Sequence, residues 1–512
     1  MTALTPSLVV VILLAYFAML VGVAWYTGRN VGNEGFFLAN RKVPWYVVAY
    51  AMIGTSISGV TFISVPGAVG LETGVNRGFG YLQVVLGYLV GYAFIATVLM
   101  PLYYRLNLTS IYGYLEQRFG HWAYKTGAAF FLLSRTLGSA ARMFLAAVVL
   151  QSFVFQPLGV PFPVTVTLML ALIYGYTFKG GLKTIIWTDT IMTTFFIAAV
   201  VWTVVTVAGT LGLGPSEILP AISASKYGQV FFFDNFWGDP NHFVKQFVSG
   251  ALVAVAMTGL DQDLMQKNLA CRNIREAQKN MAVFCVYLVI INGLFLMLGA
   301  LLYLYAGSLG LEIPARTDQL YPKIAFGHLD LAAGIFFVLG LVASTYASSD
   351  SALTALTTSF CVDFLNFEKE KDGLNRHYLT DEERHAHEAA IEARQRRTRG
   401  FVHLGFAVAF VLIILMLNAF SDGAVISLIF KIAGYTYGPL LGLYLFGLFT
   451  DLKTHDRLVM PVCVAAPILT FAIEWASKTW AGADVGFLTI LLNGGLAFLG
   501  LWIISFREPV SE

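Results

Sequence analysis

About thirteen stretches of this chain are long and apolar enough to cross a lipid bilayer as helices, at about 20 residues each. Composition agrees with a membrane location, since 57% of the 512 residues are hydrophobic and 12% are charged. Soluble domains have about 45–50% apolar and about 25% charged residues. The stretches cover, approximately, residues 7–27, 45–70, 78–104, 122–155, 160–178, 184–211, 243–267, 276–308, 331–363, 401–420, 424–450, 457–477 and 485–506. We therefore predict an all-α, polytopic membrane protein of about thirteen transmembrane helices.

Lysine and arginine are concentrated in alternate connections between these stretches, and such residues favour the cytoplasmic side of a membrane. With the N-terminus outside, the inside connections hold Arg29, Arg41, Lys42, Arg105, Arg118, Lys179, Lys183, Lys267, Arg272, Arg275, Lys279, Lys453 and Arg457. An odd number of spans then places the C-terminus in the cytoplasm. We predict a multi-pass protein of the cell inner (plasma) membrane, in contact with the lipid bilayer and with no nucleic-acid partner, because no separate basic domain is present.

One long segment, residues 364–400, is strongly charged and mixes both signs. We interpret it as a solvated cytoplasmic linker that contains a short helix. Its basic end would either contact anionic lipid headgroups or act only as a topology signal.

Two of the apolar stretches contain residues that favour an interrupted helix. Gly54, Ser56 and Ser58 interrupt the 45–70 stretch, whereas Asp261 follows Gly259 in the 243–267 stretch. Small and polar residues allow a helix to unwind where it lines a cavity. The two stretches are the second and the seventh along the chain, which is the spacing expected for two inverted repeats that each begin with a broken helix.

Ionisable groups inside a membrane are candidates for a functional site. Asp189 and Asp350 both lie in predicted spans, and Ser344, Ser348 and Ser351 share one helix face beside Asp350. Hydroxyl and carboxylate oxygens suit a hard cation such as sodium. Alternatively, the serines only allow close packing between helices, although packing does not require a carboxylate.

Two arginines, Arg135 and Arg142, lie seven residues apart in the 122–155 stretch and therefore point in similar directions. They would either bind an anionic substrate or form structural ion pairs with acids such as Asp261 or Asp350. Gln83, in the 78–104 stretch, is a weaker candidate for a polar cavity. The sequence contains none of the zinc-protease, P-loop or nucleophile-elbow motifs, so we do not expect an enzyme.

Four segments of the chain resemble the sodium:solute symporter family, which includes the sodium/glucose, sodium/proline and sialic acid transporters. They are AMIGTSISGVTFIS (51–64), GGLKTIIWTDT (180–190), ASSDSALTALTTSFCVDF (347–364) and AGYTYGPLLGLYLFGLF (433–449). The resemblance implies a single transmembrane transporter domain, 1–512, with a LeuT-type core of five plus five helices in inverted repeats. The repeats would be residues 45–211 and 243–450, with an extra N-terminal helix at 7–27 and two extra C-terminal helices within 457–506.

The resemblance also implies a function, that of a sodium-coupled secondary active symporter. Such a protein would import a small polar organic solute, such as a sugar, a sialic acid or another organic acid, by alternating access with Na+ as the coupled ion. We expect it to act as a monomer. A proton-coupled transporter of the same fold and a solute-sensing receptor without transport remain the alternatives.

Site residues follow from the resemblance position by position. A general sodium site would use the carbonyls of Gly54 and Ile57 with Ser344, Ala347 and Ser348, and a shift of one residue would instead use Ser348 and Ser349. A second sodium site would lie between Asp189 and the pair Asp350 and Ser351. The substrate would contact the following residues of the pocket: Ser56, Ser58, Thr61, Ser139 and Asp261. Gln83 and Arg142 join this list from their own chemistry.

Overall fold

The computed structural model describes residues 5–29, 31–71, 75–367, 381–420, 425–481, 485 and 488–506. Within these residues nine helices are long and apolar enough to cross a membrane, and two bent helix pairs meet the same criterion together. Two shorter apolar helices, Phe162–Thr177 and Thr489–Ile503, occupy the remaining predicted stretches. These helices confirm the predicted all-α, polytopic architecture.

Helices account for nearly all regular structure in the described residues. The α-helices are α1 Pro6–Thr27, α2 Asn33–Leu38, α3 Trp45–Ser56, α4 Gly59–Ala68, α5 Tyr81–Phe94, α6 Met100–Arg105, α7 Gly113–Arg118, α8 His121–Leu150, α9 Phe162–Thr177, α10 Gly181–Thr210, α11 Ile218–Ser223, α12 Phe243–Ala254, α13 Gln262–Leu269, α14 Ile274–Ser308, α15 Leu320–Gly327, α16 Leu331–Ser359, α17 Asp381–Phe420, α18 Val425–Phe449, α19 Asp456–Ala481 and α20 Thr489–Ile503. Single π-helical turns span Ile95–Leu99, Gln151–Phe155, Val255–Gly259 and Phe360–Phe364, and short 3₁₀ turns span Ala39–Arg41, Gln156–Leu158 and Thr317–Gln319. The strands β1 Lys453–Thr454 and β2 Ser505–Phe506 form a small antiparallel ribbon.

Both predicted breaks lie at sharp bends. The axes of α3 and α4 differ by 59°, and those of the helix Phe243–Gly259 and α13 by 64°. At the first bend Ile57 and Ser58 are extended, which ends one helical ladder and starts the next. At the second bend the Asp261 carboxylate accepts the Asp263 N–H at 2.9 Å and so caps α13.

Two glycines allow the first broken helix to pack closely on α16. A Cβ atom on Gly54 would lie 3.2 Å from the Ala347 Cβ and 2.5 Å from the Thr193 hydroxyl of α10. A Cβ on Gly59 would lie 2.2 Å from the Thr345 hydroxyl. The bend is therefore held directly against the serine-rich part of α16, where the sequence predicts the sodium ligands.

The charged segment 364–400 differs from the predicted solvated linker where the structure describes it. Residues 368–380 lie outside the described residues, but the segment's C-terminal part forms the first turns of α17 and continues into the next span. One face of this part is buried, because Gln395 and Arg399 hydrogen bond to the Asn33 side chain of α2 at 2.8 and 2.6 Å. This charged part of the chain therefore forms a contact between α17 and α2.

Candidate functional site

A cavity lies where the two bends meet. The first bend contributes Ser56, Ser58 and Thr61 to its lining, as the sequence predicts. Other parts of the lining come from α5, α8, the second broken helix and α14: Tyr81, Tyr88, Tyr92, Arg135, Arg142, Val253, Met257, Thr258, Leu264 and Asn292. The lining thus combines apolar side chains with hydroxyl groups and two guanidinium groups.

Arg142 lines this cavity and forms no ion pair with any described residue. The phenol groups of Tyr81 and Tyr88, which lie 3.3 Å apart, belong to the same lining. A cation in a membrane normally has a counter-charge. The cavity therefore presents a guanidinium that no described carboxylate contacts directly, although Asp261 and Asp263 lie near enough to act on its charge through space.

Arg135, two turns before Arg142, is already paired. Its Nη2 donates to Asp263, and its Nη1 lies 3.7 Å from the Asp261 Oδ2. Asp261 also accepts a hydrogen bond from the Tyr437 hydroxyl. Arg135 therefore forms structural ion pairs, which was one of its two predicted roles. Asp261 is not part of the lining, and it contacts Arg135, which is.

Two other predicted substrate residues lie outside the lining. Gln83 uses its amide on the loop between α11 and α12, where it donates to the Asn241 carbonyl at 2.9 Å and accepts the Phe232 N–H at 3.2 Å. Ser139 is buried between helices, and its hydroxyl has no hydrogen-bond partner among the described residues. Gln83 thus fixes a loop through its amide group, and this structural role accounts for its polar side chain.

The two helices that carry the residues predicted for the general sodium site, α3 and α16, pack against each other. Gly54 contacts Ala347, and the last hydrogen bond of α3 runs from the Ile57 N–H to Ile53. The final carbonyls of a helix have no partner within it. On α16, Ser344 and Ser348 are buried, and their hydroxyls donate to α16 carbonyls at 3.1 and 3.0 Å. Because each hydroxyl hydrogen is used, the oxygen lone pairs remain for a cation.

Asp189, predicted for the second sodium site, is fully buried and pairs with the Lys267 ammonium at 2.5 Å. The Thr55 hydroxyl donates to the same carboxylate oxygen at 3.1 Å, whereas the Asp189 Oδ1 has no partner among the described residues. The assignment of Lys267 to a cytoplasmic connection is wrong. Lys267 lies inside α13 with no exposed surface, because the Asp189 carboxylate supplies the counter-charge that makes its burial tolerable.

Asp350 and Ser351, the other residues predicted for the second sodium site, lie on α16 shortly after Ser348. Asp350 accepts hydrogen bonds from the Tyr176 hydroxyl at 2.8 Å and from the Ser351 N–H at 2.6 Å. The Ser351 hydroxyl donates to Asp263. Neither Lys267 nor Asp263 was predicted as a site residue, and Lys267 was assigned only to an inside connection. The available signal was the number of charges in the segment DQDLMQK, which is high for a helix that follows a break inside a membrane.

A family model described as the sodium:solute symporter family matches residues 36–374, well over half of the chain. The human sodium/iodide cotransporter is 22% identical over 433 residues, which cover 82% of this chain and 62% of that protein. The chain thus spans less than two thirds of that relative. The sodium/sialic acid symporter of Aliivibrio fischeri is 23% identical over 356 residues, which cover 69% of this chain and 68% of that protein.

Solved structures show the same fold. A sodium-coupled sialic acid symporter in a substrate-bound, outward-open state superposes with a TM-score of 0.77 at 18% identity, covering 98% of this chain and 99% of that one. Mhp1, a nucleobase-cation-symport-1 family transporter in a closed conformation, gives a TM-score of 0.55 at 15% identity, covering 93% and 94%. These likenesses confirm the predicted LeuT-type fold.

Proposed function

The chain belongs to the sodium:solute symporter family, and we propose that it imports a small organic anion together with sodium by alternating access. Family membership confirms the predicted class, which is a sodium-coupled symporter and not an enzyme, with Na+ as the coupled ion. It also agrees with a multi-pass membrane protein. The solute class is the further step, and the chemistry of the cavity supports it.

The observation that carries this proposal is Arg142, whose guanidinium lines the cavity without an ion-pair partner among the described residues. Arg142 is only partly exposed, and a charge inside a membrane protein is costly unless it is paired. A carboxylate matches the planar donor array of arginine in charge and in geometry. An anionic solute would therefore form the direct ion pair that Arg142 lacks, whereas a neutral solute would not.

The first bend supports the same solute class. Ser58 and Thr61 line the cavity at the N-terminus of α4, where backbone N–H groups lack helical partners. The positive end of a half-helix favours an anionic group. Several relatives are also named for anions, namely iodide, sialic acid and monocarboxylates.

Sodium would bind at two places beside the cavity. We assign the general site to the carbonyls of Gly54 and Ile57 with the α16 residues Ser344, Ala347 and Ser348. The second site would use the free oxygen of Asp189 with Asp350 and Ser351. Binding at the general site would connect α3 to α16 and favour the outward-open state.

The remaining expectations describe how the protein is arranged in the cell. Solute would bind at the bends of the repeats 45–211 and 243–450, and the scaffold would then rock and release solute and sodium inside. We place the protein in the cell inner (plasma) membrane as a monomer, with its N-terminus outside and its C-terminus in the cytoplasm. Basic residues at the inside connections support this orientation.

The test measures the thermal stability of the purified protein in detergent, in sodium and then in potassium. The solutes are three anions (lactate, N-acetylneuraminate and iodide) and two without net charge (glucose and proline). A ligand that binds the folded state raises the melting temperature. We expect at least one anion to raise it more in sodium than in potassium.

Arg142→Gln is expected to abolish this anion-dependent shift. Ser139→Ala is the matched control, because Ser139 lies one turn away on α8 and outside the cavity lining. A shift produced by glucose alone would contradict the anionic solute class. Anion shifts that ignore sodium and follow pH would favour the proton-coupled alternative, in which Asp189 or Asp350 carries the proton.

A further inference from the structure

We propose that Asp263 is a positioning residue that couples the solute cavity to the second cation site. One carboxylate oxygen of Asp263 accepts a hydrogen bond from Arg135, and the other accepts one from Ser351. Arg135 lines the cavity, whereas Ser351 belongs to the proposed second sodium site. This inference rests on the proposed function, because it requires both ligands.

Asp263 is held in a position to act between two sites. It lies in the first turn of α13, directly after the second bend, and its side chain is 1% exposed. The positive end of a helix stabilises a carboxylate there. Since both oxygens are used, a change at one partner alters the charge that the other partner experiences.

On the solute side, Arg135 has an unused hydrogen-bond donor. Its Nε is buried and has no hydrogen-bond partner among the described residues, while its Nη2 holds Asp263. An anion in the cavity beside Arg142 would attract the positive charge of Arg135. The Asp263 carboxylate would then be less neutralised.

On the cation side, the Ser351 hydroxyl has a single hydrogen, which it donates to Asp263. Its lone pairs are therefore directed away from Asp263 and available to an ion. A more negative Asp263 strengthens this orientation and attracts a cation to the same turn of α16. Solute binding would thus raise sodium affinity, and by linkage sodium would raise solute affinity by the same factor.

Asp261 provides an internal comparison. It also lies beside Arg135, at 3.7 Å, but its hydrogen bonds go to Tyr437 and to the backbone of Asp263. Within the described part of the chain, the Ser351 hydroxyl donates to Asp263 and forms no hydrogen bond with Asp261. Asp261→Asn therefore removes a negative charge beside Arg135 and leaves the hydrogen bond between Ser351 and Asp263 in place.

The experiment measures sodium affinity by thermal-shift titration, without and with the anion among lactate, N-acetylneuraminate and iodide that gives the largest sodium-dependent shift in the wild type. The ratio of the two affinities is the coupling factor, which is about 5–150-fold in typical coupled systems. We expect a factor near one for Asp263→Asn and a retained factor for Asp261→Asn, whatever that control does to either affinity.

Outcomes separate the inference from the function on which it rests. Wild-type coupling that persists in Asp263→Asn overturns the role of Asp263 alone. Anion binding that ignores sodium in the wild type overturns the proposed function and the coupling together. If Asp263→Asn does not fold in detergent, Ser351→Ala decides, because it breaks the same connection and keeps the Arg135 ion pair. A wild-type coupling factor in Ser351→Ala then refutes the proposal.

Discussion

The Lys267 ammonium lies 2.5 Å from the Asp189 Oδ2, and neither side chain has any exposed surface. The pair connects the second broken helix to α10, and Lys267 also donates a hydrogen bond to Thr55 on α3. Three elements of the core therefore meet at one charged contact. A fixed protein cation consequently stands beside the proposed second sodium site.

Replacing Lys267 by methionine should destabilise the protein strongly. The change leaves the Asp189 carboxylate buried without its partner, which costs about 3–5 kcal/mol in comparable pairs. Thermal unfolding in detergent and potassium would measure the loss. The double variant Lys267→Met/Asp189→Asn removes both charges and should recover most of the stability. A single variant that melts with the wild type would contradict the importance of the pair.

Ser348→Ala should weaken sodium binding more than it affects folding. A contact to a charged group contributes about 1.5–3 kcal/mol, so sodium affinity should fall about tenfold or more. Sodium titration of the melting temperature measures the change. Asp189→Asn should also weaken the sodium response, but it should destabilise the fold as well, because it leaves the Lys267 ammonium buried without its partner. Ser359→Ala is the control, because Ser359 lies on the same helix and donates to Asp363 at 2.5 Å, far from the bend. A sodium response unchanged in Ser348→Ala would argue against the general site.

The bends could be predicted from sequence because their causes are local. Ser56, Ser58 and Gly59 lie within four residues of each other, and each disfavours a continuous helix or lines a cavity when the helix unwinds. The same holds for Asp261, whose side chain caps the helix that it precedes. A helix break whose causes lie within one helical turn can therefore be predicted from the sequence without knowledge of the tertiary structure.

Ion pairs could not be predicted in the same way, because their partners lie far apart along the chain. Arg135 and Asp263 are 128 residues apart, and Lys267 and Asp189 are 78 residues apart. The sequence limited Arg135 to two interpretations, and only the packing of α8 against α13 decides between them. Gln83 shows the converse, since an amide that could face a cavity instead holds a loop.

Gly59→Ala should destabilise the first broken helix. The added methyl group would lie 2.2 Å from the Thr345 hydroxyl, which is fixed by its own hydrogen bond to the Leu341 carbonyl at 2.8 Å. Overpacking of this kind costs about 1–3 kcal/mol. Thermal unfolding should show the loss, and adding Thr345→Ala should relieve part of it. Gly138→Ala is the control, because nothing lies within 4 Å of its Cβ position; it should be neutral or slightly stabilising.

Arg399→Ala should loosen the contact between α17 and α2 at the predicted cytoplasmic side. The Arg399 guanidinium donates to the Asn33 side chain at 2.6 Å and lies 3.9 Å from the centre of the Phe36 ring, and the residue is 2% exposed. A charged hydrogen bond and a cation–π contact together contribute about 2–4 kcal/mol. We expect a lower melting temperature and faster hydrogen exchange in α2, whereas Arg396→Ala, on the exposed face of the same helix, should change neither. Unaltered exchange in α2 would show that this basic part of α17 is only a topology signal, as the simpler interpretation of its sequence holds.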